Sequence, residues 1–165
     1  MEARKEDLEK LLGVLTHMRL RPGMYFSSDM PGVYTYLNGF KTACHLLGVD
    51  ISINESVIWS ERGWKTGPLH PIKQMQEKGM SEAKITEELL TSLILTLVRS
   101  YSLSTQPVLE IHDWVRNHIN EKDSDASNAK TSPITQEDEL SQSVIDLKRM
   151  HRLEEDLGIS NESCS

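Results

Sequence analysis

The pair Pro22-Gly23 is the tightest local constraint on what this chain can fold into. Pro22 fixes its own φ, offers no N–H and pushes Arg21 out of the helical region. A helix arriving from the N-terminal side therefore has to end by about Leu20. Gly23 then opens turn conformations that residues with a Cβ avoid. Met24, Tyr25 and Phe26 follow as an apolar plug framed by Arg19 and Arg21. The expectation is a structural corner, with Met24 and Phe26 buried against the helix around Leu93 and the arginines capping carbonyls at the helix end. The alternative puts Arg21 and Tyr25 on a binding surface, because Tyr and Arg are enriched at contact hot spots.

Hydrophobic spacing predicts helices on both sides of this corner. Residues 4–18 carry Leu8, Leu11, Leu12, Leu15 and Met18 at steps of three and four. Asp29 and Pro31 mark a new start, followed by the stripe Val33, Tyr34, Leu37, Phe40, Ala43, Cys44 and Leu47, with Tyr34 in the core and Tyr36 at the rim. Gly48 closes that helix, and Gly39 inside it is expected to admit a closely packed neighbour. Val49 to Ile53 alternates, but a lone strand is unstable, so it reads as an extended connector. A short helix from Glu55 to Arg62 would take Asn54 as N-cap and Gly63 as terminator. Of the two tryptophans in Trp59–Pro68, one is expected in the core and the other, Trp64, on a loop as a contact residue. Pro71–Lys78 is the next short helix, ended by Gly79. Ser81 then caps the central helix, whose wide apolar face runs from Ile85 through Leu89, Leu90, Leu93, Ile94, Leu97 and Val98 to Tyr101. Glu87 and Glu88 are expected on its solvated side. Pro107 opens a last body helix. The fold class is all-α, with about six helices in the body.

Charge divides the chain. Residues 1–119 hold 13 Lys/Arg and 14 Asp/Glu, whereas residues 120–165 hold 5 and 11, so the net charge of −7 sits mostly at the end. Residues 120–135 are polar, with few apolar side chains, and read as a flexible linker. Thr135 and Asp138 form a capping-box pattern. Leu140, Val144, Leu147, Met150, Leu153 and Leu157 then give an amphipathic helix over Gln136–Leu157, interrupted by Asp146 and His151. The organisation predicted is thus a helical body over 1–119, a linker over 120–135, and an acidic helix and tail over 136–165.

The string His-Met-Arg-Leu-Arg-Pro-Gly-Met-Tyr resembles the opening of the ATPase domain of type IIA topoisomerases. In that family an Asn and acidic residues on the next helix hold nucleotide and magnesium. Here Val33 to Ala43 offers Asn38 and no acid, and no Gly-rich lid follows, so the resemblance is read as a shared corner without ATPase activity. The same box also resembles small bacterial proteins of uncharacterised function. They place Arg-Pro-Gly-Met-Tyr before a helix of the form Leu-x-Gly-aromatic-x-x-Ala, matched by Leu37, Gly39, Phe40 and Ala43. That likeness covers residues 15–48 well and thins out to about 101. It implies a small helical fold in a bacterial or phage setting, and no activity.

The sequence offers no catalytic constellation, metal site or cofactor motif. His112 and His118 stand six apart on one helix and point away from each other. Cys44 and His45 are adjacent, hence about 100° apart, which spoils a nucleophile–base pair. Two cysteines in no framework and a charged start predict a cytoplasmic protein. The longest apolar run, Leu89–Val98, is about half a membrane span, so no membrane partner is expected. The charge balance argues against direct nucleic-acid contact. The favoured reading is a non-enzymatic interaction module, of the kind an immunity or antitoxin protein is, neutralising a basic partner. Arg21, Tyr25, Arg62, Trp64, Leu147 and Leu153 are its candidate contact residues. The alternatives are a small enzyme with a site near Arg21, Tyr25 and Arg62, and a nucleic-acid-associated adaptor. Oligomeric state is left open.

Overall fold

The computed structural model describes residues 4–26, 30–52, 54–67, 70–126 and 133–159, with backbone alone for 121–126 and 133–141. Among these residues the chain is all-α, with seven α-helices and no strand. They are α1 (Lys5–Leu20), α2 (Met30–Leu46), α3 (Glu55–Glu61), α4 (Pro71–Glu77), α5 (Glu82–Tyr101), α6 (Gln106–Ala126) and α7 (Pro133–Asp156). A single 3-10 turn, Pro22–Met24, follows α1. The chain divides into two compact units, Met1–Ser104 and Thr105–Ser165. α6, expected to belong with the body, is in the second unit. Its last turn overlaps the stretch expected as linker. Residues 127–132 and the Thr135 and Asp138 side chains lie outside the described residues.

Local rules set the helix ends. α1 stops at Leu20, immediately before the residue that Pro22 restricts. Gly63 and Gly79 adopt φ of +83° and +72° after α3 and α4, a region that costs an L side chain strain. The Ser81 hydroxyl accepts the Lys84 N–H at the start of α5. Asn54, by contrast, makes no cap bond, and its amide donates to Ser100 Oγ at 3.1 Å instead.

In the first unit α1, α2, α3 and α4 all pack against α5. Every residue from Leu89 to Leu97 is buried, so α5 is enclosed on all sides. Its buried threonines spend their hydroxyls on their own helix. Thr86, Thr91 and Thr96 each donate to the carbonyl four residues back, at 2.7 to 2.9 Å. Leu8, Leu12, Leu15, Met18 and Leu20 supply the facing stripe from α1. The second unit is an antiparallel hairpin in which the early part of α6 meets the late part of α7, through His112 and Arg116 on Glu154.

Several side chains end up elsewhere than expected. Met24 is 71% exposed and Phe26 only half-buried, so the plug is not a core anchor. Phe26 lies edge-on to Tyr36 at 5.1 Å, which holds the turn against α2 rather than in the centre. Tyr34 is exposed, not in the core. A Cβ placed on Gly39 would meet nothing within 4 Å, so no helix approaches there.

Three substitutions separate these layers by thermal or urea melting. Met24→Ala should stay within about 0.5 kcal/mol of the parent, as exposed positions do. Leu12→Ala should cost about 2–5 kcal/mol through lost burial and a cavity. Gly39→Ala should stabilise by about 0.5–1 kcal/mol, since an exposed helical glycine only adds unfolded-state entropy.

Candidate functional site

Arg19, expected to cap α1, is the largest fully buried side chain among the described residues, 1% exposed. Its Nε donates to Thr91 Oγ1 at 2.7 Å and its Nη2 to Glu87 Oε1 at 3.0 Å. One residue on, Glu88 receives Arg62 through two parallel bonds, Nε to Oε1 at 2.5 Å and Nη2 to Oε2 at 2.7 Å. Trp64 Nε1 adds a third at 3.0 Å. Consecutive residues on a helix diverge by about 100°, so Glu87 and Glu88 reach different neighbours. Glu87 binds α1, and Glu88 binds the segment after α3. Neither is the solvated acid the sequence suggested.

This arrangement fixes the Trp59–Gly67 stretch. Trp59 and Trp64 are both buried, which corrects the expectation of an exposed Trp64. Lys78 lies over the Trp64 ring, 4.4 Å from its centroid. The Gln74 side chain brackets Lys65, accepting its N–H at 3.0 Å and donating to its carbonyl at 2.7 Å. Burial pushes the Glu88 carboxyl up, but bonds from Arg62 and Trp64, and the charges of Arg62 and Arg19, outweigh it. The net result is a carboxyl below the usual range. Such a carboxylate is held ionised and is a structural clasp, not a proton donor.

The candidate residues therefore separate. Arg62 and Trp64 meet on Glu88. Tyr25 is held elsewhere, with its hydroxyl 2.7 Å from His17 Nδ1 and the two rings edge to face. Arg21 is half-buried at the end of α1. In the second unit Leu153 is fully buried and Leu147 is exposed. The predicted stripe of α7 thus splits, with Met150 and Leu153 buried but Val144 and Leu147 open to solvent. Beneath it, Glu154 Oε1 receives His112 Nδ1 at 2.7 Å and Arg116 Nη2 at 2.6 Å, in a pocket where all but Arg116 are almost fully buried. Among the described residues no group of three His, Cys, Asp or Glu is placed to hold a metal, and no helix is long and apolar enough to cross a membrane.

What sequence reasoning missed is α2. Met30, Val33, Leu37 and Cys44 are buried, the face turned to α5. A second apolar row, Tyr36, Phe40, Ala43 and Leu47, runs at steps of four, three and four along one flank. Tyr36, Ala43 and Leu47 are exposed, and Leu46 beside them is 80% exposed. The signal was present in the sequence, because no Asp or Glu occurs from Met30 to Val49. Comparison with known protein families, with curated proteins and with solved structures finds no match to this chain.

The clasp makes a pH-dependent prediction. A depressed carboxyl stabilises the fold fully above the unfolded glutamate value of about 4.3 and loses that contribution as pH falls through the lower folded value. Glu88→Gln should therefore cost about 1.5–3 kcal/mol at pH 7, from lost charge-assisted bonds. The difference from the parent should shrink once the pH is taken below about 4. Denaturant melts of both proteins from pH 7 to pH 3 check it.

Proposed function

We propose that the protein is a non-enzymatic protein-interaction module, of the immunity or antitoxin kind, that covers a basic partner in a bacterial cytoplasm. The observation that carries this reading is the apolar row beside the buried face of α2, on which Tyr36, Ala43 and Leu47 are exposed. The row Tyr36, Phe40, Ala43 and Leu47 has the spacing with which a helix enters a partner's groove. Tyrosine and phenylalanine give large, stiff contact area, which suits anchor positions.

The sign of the partner's charge follows from the net charge of −7, most of it carried by residues 120–165. An acidic protein is drawn towards a basic one and held apart from acidic competitors. The exposed Val144 and Leu147 offer a second, smaller apolar contact within that acidic part. Kinship with the small bacterial proteins sharing the Arg-Pro-Gly-Met-Tyr box belongs to the same proposal. The corner itself, with Tyr25 bound to His17, is scaffold for α2 in this reading.

The test is co-purification from the native host. Tyr36→Asp and Leu47→Asp place a charge in the row without opening the core, so Leu47→Asp should melt within about 1 kcal/mol of the parent and Tyr36→Asp within about 2 kcal/mol, since it also gives up the Phe26 ring contact. Each should lose the basic protein that the parent retains. The parental complex should weaken as salt rises through 0.15 M, where the Debye length is about 8 Å. Retention of the same partner by both variants would sink the surface. A retained partner that is acidic would sink the charge argument.

A further inference from the structure

The opposite flank of α2 holds a different feature. Between the start of α2 and α4 lies a cavity of about 380 Å³, at the small end of the range for ligand sites. Met30, Pro31, Tyr34 and Ile72 form its apolar wall, and Met30 is buried beneath it. Among the described residues the polar lining is His70, Lys73 and Gln76, with no carboxylate.

The rim has a defined hydrogen-bonding character. His70 Nδ1 accepts the backbone N–H of Ile72 at 3.3 Å. The proton of the neutral ring is therefore on Nε2, which is left as a donor. Burial pushes the His70 pKa down and the nearby Lys41 adds to this, only partly opposed by Glu55, so the ring is neutral at pH 7. The Tyr34 ring meets it edge-on at 6.0 Å, which fixes its plane. Lys73 makes no ion pair among the described residues. Glu55, whose charge opposes this shift, is itself bound by Lys41.

An apolar wall with a cation and an N–H donor at its rim selects an apolar body with an anionic head. We propose that this cavity binds a small monocarboxylate with an aryl or alkyl body, its head on Lys73 and His70 and its body against Ile72 and Tyr34. A cationic ligand of the same shape would meet Lys73 and be rejected, which is how the site discriminates. The site stands apart from the partner surface, because Tyr36 and Leu47 lie on the other flank.

Three probes with one body and different heads test this on the full chain: 3-phenylpropionate, 3-phenylpropan-1-ol and 3-phenylpropylamine. Titrations followed by NMR should shift the Met30 methyl, the Ile72 methyls and the Tyr34 ring, with affinity falling from carboxylate to alcohol to amine. Lys73→Met, at an exposed position, should weaken the carboxylate about tenfold, the scale of one charge-assisted bond, and leave the alcohol unchanged. Ile72→Ala should weaken carboxylate and alcohol alike. Tyr36→Asp should alter neither, which keeps failure here distinct from failure of the partner surface. Equal affinity for the three probes overturns the proposal, as do shifts confined to other residues, or no shifts at all.

Discussion

A guanidinium buried between two helices is the constraint on which the first unit depends. Taking Arg19 out of water is expensive, and removing one partner of a buried pair typically costs about 3–5 kcal/mol. Its geometry is accordingly demanding, because Nε must face Thr91 while Nη2 faces Glu87 on the same helix. Thr91 is able to accept because its own proton goes to the Glu87 carbonyl at 2.8 Å. A shift of α1 along α5 by one turn, about 5.4 Å, would break both bonds and leave a charge stranded in the core. Leucine packing alone tolerates such slippage far better, since one leucine stripe resembles its neighbour a turn away. The ion pair thus supplies register where the apolar surfaces supply most of the burial.

The adjacent Glu88 extends the same logic to the segment after α3. That segment is short and carries Gly63 at positive φ, with few apolar residues besides Trp59 and Trp64. Its order comes from Glu88 receiving Arg62 in a bidentate fork and Trp64 at once. Two consecutive acids on one enclosed helix therefore organise two different neighbours. Glu154 plays a comparable part in the hairpin of α6 and α7, where burial pushes its carboxyl up and His112 and Arg116 bring it below the usual range. In each case the carboxylate is committed to holding helices together.

The helix ends were legible in the sequence because the rules that set them are local. Pro22, Gly63, Gly79 and Ser81 act on their own turns, and α1, α3, α4 and α5 end or begin where they say. Destinations of side chains were not legible, because they depend on residues far away in the chain. Glu87 and Glu88 look solvated until Arg19, 68 residues from Glu87, and Arg62 are brought to them. Met24 and Trp64 exchanged roles for a related reason. A Met after a tight turn has no neighbour specified by local sequence, whereas Trp64 has an N–H that a buried carboxylate can satisfy. Of the candidate contact residues, the sequence picked Leu147 at the surface, but it overlooked the row on α2. That row was masked by treating every apolar residue of the helix as one stripe.

α2 is also, among the longer helices of the first unit, one with little intrinsic reason to be stable on its own. It contains Gly32 and Gly39, two threonines and three aromatic residues, all poorer helix formers than alanine. Two of its threonines, Thr35 and Thr42, return bonds to carbonyls four residues back, which adds nothing to its hold on α5. Its hold on α5 comes from the buried residues Met30, Val33, Leu37 and Cys44, with a sulfur contact from Met30 to the Thr86 hydroxyl at 3.8 Å. Helices of this length in water owe most of their stability to the faces they bury. A helix poor in propensity, with exposed apolar residues beside its buried face, therefore gains more from being covered than α1 or α5 would. A partner on one flank adds its binding free energy to the folded state by mass action, and a ligand on the other does the same. Both would act through the same helix, α2.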